Sequence, residues 1–139
     1  MSKIIDILVG LSIPIGLILL FLSFVPAHSA IYRNIAPSHG GYVGVFYITV
    51  KQSIKKGETP RITGRCDSAC TLWLMHPRVC VGPRAALGFH AASNAGGTRL
   101  LRQSYPANIN RWINAQGGLT RKLIVLKGPT LFKYVRRCS

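Results

Sequence analysis

Residues 60–91 read PRITGRCDSACTLWLMHPRVCVGPRAALGFHA, and the parsing of this stretch decides the fold. Pro60 to Cys66 has the length and residue types of a short strand. Asp67 and Ser68 are helix-capping types, Ala69 to Met75 follows as an apolar helix, and Pro77 stops it. Arg78 to Gly82 reads as a second strand, and Ala86 to Ala91 continues as a further extended stretch. Strand, helix and strand in so short a span predict right-handed crossovers and a parallel α/β sheet.

Working outward, Ile31 to Ala36 forms a short strand ended by Pro37. Ser38-His39-Gly40-Gly41 is then a turn whose glycines reach backbone conformations closed to other residues. Tyr42 to Ile54 (YVGVFYITVKQSI) fits a strand by its β-branched and aromatic content. Its length and the Lys51, Lys55, Lys56 tail before Gly57 fit a helix equally well. Downstream, Ser93 to Gly97 is a loop, and Tyr105-Pro106 opens a helix through Trp112-Ile113 that Gly117-Gly118 closes. Thr120 to Leu126 is a last helical stretch before the basic tail ending at Cys138. The chain has no internal repeat and no low-complexity tract.

At 139 residues the chain has room for one small domain. Its net charge of +15 comes with 48% hydrophobic residues, which excludes a disordered polycation. Asp6, Glu58 and Asp67 are its only carboxylates. A two-metal carboxylate centre or a glycosidase acid/base pair cannot be built from so few. Chemistry therefore falls to Ser, His, Cys and backbone amides.

After Lys3 and Asp6 the run ILVGLSIPIGLILLFLSFV (7–25) carries no charge and leads to the small residues Ala27, Ser29 and Ala30. That is the pattern of a secretory signal peptide cleaved after Ala27 or Ser29. An uncleaved anchor helix is the alternative, because the run approaches the length that spans a bilayer. Residues 1–29 are thus a signal peptide or N-terminal membrane anchor, and residues 30–139 an exported α/β domain. The expected location is the periplasm, free or anchored to the inner membrane. Cys66, Cys70, Cys80 and Cys138 fit that address as two disulfides of unassigned pairing. A zinc site drawing on these cysteines with His76 and His90 lacks the usual paired spacing. No metal or cofactor is expected.

Ser68 stands at the junction of a strand and a buried helix, where free N–H groups and the helix dipole favour developing negative charge. An acyl-transfer nucleophile needs that setting, although a serine there is far more often a simple cap. The crossover brings His90, at the end of the strand Leu87-Gly88-Phe89-His90, to the same sheet edge. The Gly40-Gly41 turn closes at that edge as well.

The pattern Ser38-x-Gly40-Gly41, Cys66-x-Ser68-Ala69-Cys70-Thr71 and Gly88-Phe89-His90 resembles the Clp-protease proteolytic-subunit family, within the crotonase-like superfold. It is closest to small exported bacterial members. The resemblance covers about residues 35–128, taking in Trp112-Ile113 and Gly117-Gly118-Leu119-Thr120. It implies a small, truncated domain with short parallel strands and crossover helices, preceded by the N-terminal hydrophobic helix. It also implies Ser68 as nucleophile, His90 as general base, and the Gly41 and Ala69 amides as oxyanion hole. The family's triad ends in an Asp after the His, and no acidic residue follows Asp67 here. Asn108 or Asn110 is left as candidate orienter of the imidazole, in the way Asn serves some cysteine proteases.

The implied activity is a periplasmic serine hydrolase acting on a peptide or ester, and ring assembly in that family implies a homo-oligomer. The cationic field running from Arg33 to Arg137 supports the alternative, a catalytically degenerate exported domain that binds anionic envelope surfaces or protein partners. The sequence has no helix-turn-helix, RRM signature or zinc-finger spacing. An anionic membrane or envelope polymer is therefore the expected partner in preference to nucleic acid.

Overall fold

A computed structural model describes residues 30–139; the hydrophobic N-terminal segment, 1–29, lies outside the described residues. Six short strands form two three-stranded sheets. The first contains β1 (Tyr32–Ile35), β2 (Thr59–Ile62) and β4 (Cys80–Val81), all parallel, with β2 in the middle. The second contains β3 (Arg65–Asp67), β5 (Ala86–Phe89) and β6 (Ile124–Lys127), with β3 parallel and β6 antiparallel to the central β5. The mixed α/β class and the short parallel strands agree with the sequence reading. A single sheet does not form.

Residues 60–66 are two strands. The chain leaves the first sheet after Ile62 and enters the second at Arg65. Thr63-Gly64 makes this step, and Gly64 packs so tightly on Pro37 that a Cβ there would sit 3.0 Å from the proline ring. The expected apolar helix is present as a 3₁₀ helix, Ser68–Met75, in which residues 68–74 are all buried. A helix apolar on every side must lie in the middle of the molecule. Helix α1 (Val43–Lys55) packs against it, as do α2 (Ala95–Ser104) and β5.

The ambiguous stretch 42–54 is helical. Val43, Phe46, Tyr47, Val50 and Ile54 turn inward, at spacings of three and four that suit a helix and no strand. The remaining differences lie towards the C-terminus. Asn94 caps α2 by accepting the Gly97 N–H at 2.7 Å, so most of the expected loop 93–97 opens a helix. The expected helix near residues 120–126 is instead the edge strand β6. Leu126 is buried between exposed Val125 and Lys127, a two-residue period that belongs to a sheet. Helix α3 (Ala107–Ala115) is where the sequence puts it, closed by Gly117 and Gly118, both at positive φ. A single turn, α4 (Gly128–Leu131), precedes the C-terminal tail.

All four cysteines are paired, Cys66 with Cys70 and Cys80 with Cys138. Two disulfides fit an oxidising compartment outside the cytoplasm, and the zinc alternative is left without a thiolate. Among the described residues no helix is long and apolar enough to cross a membrane. Cys80–Cys138 closes a loop with a sequence separation of 58, against 4 for Cys66–Cys70. By chain entropy the long loop contributes about 4 kcal/mol and the short one about 2 kcal/mol. Chemical denaturation should therefore show a greater loss for the double variant C80S/C138S than for C66S/C70S. An equal or smaller loss would refute the loop argument.

His76, only 2% exposed, accepts the Arg78 N–H at its Nδ1, so the neutral ring carries its proton on Nε2. Burial pushes its pKa below the ordinary 6.5, opposed by the Ser53 main chain and assisted by the Arg78 charge. The unfolded chain then binds a proton that the folded chain refuses. Stability should fall as pH drops below about 6.5. The slope should flatten in His76→Gln, and an unchanged acid slope would contradict this assignment.

Candidate active site

The segment Ser38–Gly41 is laid against β3 as an extra parallel partner. Ser38 N–H donates to the Arg65 carbonyl at 2.9 Å, and Asp67 N–H donates to the Ser38 carbonyl at 2.9 Å. The bridge carries the glycine turn onto the start of the 3₁₀ helix. Gly40, at φ +97°, approaches so closely that a Cβ would sit 2.7 Å from the Ser68 Cβ and 2.8 Å from the Asp67 carbonyl. No other residue type fits there.

Ser68 has φ +54°, the only non-glycine with positive φ among the described residues. A left-handed serine costs roughly 1–2 kcal/mol and persists only where its surroundings enforce it. Here the enforcement is visible. Thr71 Oγ1 donates to the Ser68 carbonyl at 2.6 Å and lies 2.6 Å from the Tyr105 hydroxyl. Threonine has one hydroxyl proton, so Tyr105 must donate to Thr71. Burial pushes the Tyr105 phenol well above its ordinary pKa and keeps it a donor. The Cys66–Cys70 disulfide closes the other side of the turn.

Ser68 opens onto a cleft of about 510 Å3 that His90 and Gly41 also line. His90 follows β5, and its Nδ1–H donates to the Ala91 carbonyl at 2.7 Å. The neutral ring therefore leaves Nε2 as the acceptor. Ala91 is in turn fixed by donating its N–H to Thr120 at 2.6 Å. The Phe89 ring, next to His90, packs edge-on against Tyr105 at 5.5 Å. One aromatic pair thus couples the strand of the histidine to the clamp on the serine. No hydrogen bond links the Ser68 hydroxyl to the His90 ring in this resting arrangement. Such bonds commonly tighten only when substrate binds.

The other expected site residues are placed less simply. Gly41 faces the cleft, whereas Ala69 is fully buried beneath Gly40 and does not line it. Of the two amides expected to form an oxyanion hole, only that of Gly41 belongs to a residue lining the cleft. Asn108 and Asn110 do not orient His90. The Asn108 amide donates to the Tyr134 carbonyl, and that of Asn110 to the carbonyls of Arg102 and Tyr105. Both sit on α3 and brace its surroundings, so the Ala91 carbonyl is the group behind the imidazole.

Asp67 is turned away from His90. Its Oδ2 accepts from Arg65 Nε at 2.6 Å and contacts His39 at 3.2 Å, while Oδ1 is buried without a partner over Gly88. A Cβ on Gly88 would collide with that oxygen, which explains the glycine before Phe89-His90. Among the described histidines only His39 contacts a carboxylate, yet its side chain is 87% exposed and lies outside the cleft. Among the described residues, no three metal-ligating side chains cluster.

Sequence reasoning missed Tyr105 as a support of the site, since it reads only as a residue opening a helix. It also missed the Ala91 carbonyl, a backbone group that no side-chain pattern announces. Comparison with known proteins found no matching family model and no matching curated protein.

Tyr105→Phe removes the donor that Thr71 needs. It should lower stability by about 1–2 kcal/mol and slow covalent capture of Ser68 by a fluorophosphonate about tenfold, the rate equivalent of that energy. Unchanged labelling with lowered stability would show that the clamp serves the core alone.

Proposed function

We propose that this chain is a serine hydrolase of the Clp-protease-like kind that acts on a peptide or ester in the periplasm. The observation that carries the reading is the left-handed Ser68, held between a strand and a buried helix in a cleft shared with His90 and Gly41. A left-handed serine at a strand-to-helix junction resembles a nucleophile elbow without the usual glycines.

In the proposed reaction Ser68 Oγ attacks the substrate carbonyl carbon while His90 Nε2 takes its proton. The carbonyl oxygen becomes an oxyanion held by the Gly41 N–H, the Ala69 N–H being sealed beneath Gly40. The leaving group departs with the proton from His90. Water, deprotonated by the same ring, then attacks the acyl carbon, the ester bond to Ser68 Oγ breaks, and His90 returns the proton to Ser68. No Asp, Glu, Lys or Arg lines the cleft, and Tyr42, Val43, Ala92 and Leu100 give it an apolar wall. An uncharged, apolar acyl group suits such a wall.

A neutral carbonyl behind His90 stabilises the imidazolium less than a carboxylate would. In chymotrypsin-like proteases, neutralising the carboxylate costs about 10⁴ in rate. A slow enzyme is expected, and covalent labelling is a better readout than turnover. The sealed Ala69 amide favours a second reading, an exported domain that has lost catalysis and binds anionic envelope surfaces.

Intact-mass analysis of the oxidised protein after fluorophosphonate treatment separates the two. One adduct on Ser68 is expected. It should be absent in Ser68→Ala and slowed at least about 100-fold in His90→Ala, the scale of general-base assistance. No adduct on the folded protein would end the hydrolase reading.

A further inference from the structure

A second cleft, of about 480 Å3, lies near the N-terminal ends of β1, β2 and β4 and is lined by Arg61, Arg78 and Arg136. No acidic side chain lines it. The two side-chain carboxylates among the described residues are engaged elsewhere, Glu58 with Arg33 at 3.3 Å and Asp67 with Arg65 at 2.6 Å. Three guanidinium groups around one cavity repel one another, and an anion bound among them relieves that repulsion.

Two of the three arginine side chains, Arg61 and Arg136, are held in place by the fold. Arg61 lies over the Tyr32 ring at 5.1 Å and donates through Nη2 to the Ser139 main-chain oxygen at 3.2 Å. Arg136 donates through Nη2 to the Arg78 carbonyl at 2.8 Å. The segment carrying Arg136 is stitched to β4. Val81 N–H donates to the Arg136 carbonyl and Cys138 N–H to the Val81 carbonyl, both at 2.9 Å. The Cys80–Cys138 disulfide closes the same wall. Each guanidinium carries five N–H donors. Arg61 and Arg136 commit one apiece in the bonds just described, and the Arg78 side chain commits none.

Two preplaced guanidinium forks, with the free Arg78 fork beside them, match the O–P–O edges of a phosphoryl group, which carries enough charge and lone pairs to engage several at once. A carboxylate has one charge and two oxygens and engages a single fork. We propose that Arg61, Arg78 and Arg136 form a binding site for a phosphoryl group, supplied as free phosphate or as the phosphate of an anionic lipid headgroup. The site is independent of Ser68 and stands whether or not the chain is a hydrolase.

The full-length, oxidised protein is titrated with inorganic phosphate at low ionic strength by calorimetry. In parallel it is cosedimented with phosphatidylglycerol–phosphatidylcholine vesicles and with phosphatidylcholine vesicles alone. R61Q/R78Q/R136Q is compared with R111Q/K122Q/K127Q, which removes the same charge from exposed positions elsewhere. Thermal unfolding checks each variant. If the first does not fold, R136Q alone, at an exposed side chain, takes its place.

The site variant should bind at least about tenfold more weakly, the scale expected for lost charge-assisted hydrogen bonds. The control should stay within about twofold, since dispersed surface charges contribute little at a distance. Phosphate binding with that pattern identifies free phosphate as a sufficient ligand. Binding to phosphatidylglycerol vesicles alone, with the same pattern, identifies the lipid headgroup. Absence of binding to both probes, or an equal loss in the control variant, overturns the proposal.

Discussion

The site depends on one backbone constraint, the φ of +54° at Ser68. A serine at the start of a helix would ordinarily relax to extended or helical angles and cap its own N–H groups. Three things prevent that here. The Ser38 bridge presses Gly40 onto the Ser68 backbone, the Cys66–Cys70 disulfide fixes the turn, and the Tyr105–Thr71 hydroxyl chain holds the Ser68 carbonyl. Each contact comes from a different element, so the local strain is maintained by the whole domain. The 3₁₀ helix that follows, buried along nearly its full length, gives the turn an anchor that cannot slide.

The rest of the architecture serves to bring distant segments to that turn. β3 and β5 run parallel and in register, Asp67 beside Gly88, so the residues that follow each strand emerge together. Gly88 has no side chain because the Asp67 carboxylate occupies the space, and Phe89 reaches inward to Tyr105. The histidine thus owes its position to a glycine before it, an aromatic pair beside it and a carbonyl after it. The arginine cleft belongs to the other sheet and to the tail held by the second disulfide. The two disulfides therefore support separate features.

The sequence made much of this legible, and for physical reasons. The crossover units were readable because Pro77, the glycine pairs and short apolar runs punctuate them sharply. The approach of Ser68 and His90 to one cleft followed from the parallel pairing of β3 and β5, whereas the glycine turn reaches it through the Ser38 bridge to β3. The split of 60–66 between two sheets was hidden because Thr63-Gly64 interrupts the run without a strong turn signal. β6 was misread because four residues show too little period to separate strand from helix, and its identity comes from pairing with β5. The start of α2 was masked by Gly96 and Gly97, which look like loop, and Gly97 is required by close packing on Ala92. The Asn108 and Asn110 assignment rested on residue type alone, and α3 commits both amides elsewhere.

A crystal structure of the oxidised protein carrying a phosphonate adduct tests the central claim most directly. The account predicts a positive φ at Ser68, its carbonyl held by Thr71, and the adduct oxygen within hydrogen-bond reach of the Gly41 amide. A serine with ordinary negative φ, its hydroxyl folded back as a helix cap and away from His90, would contradict it.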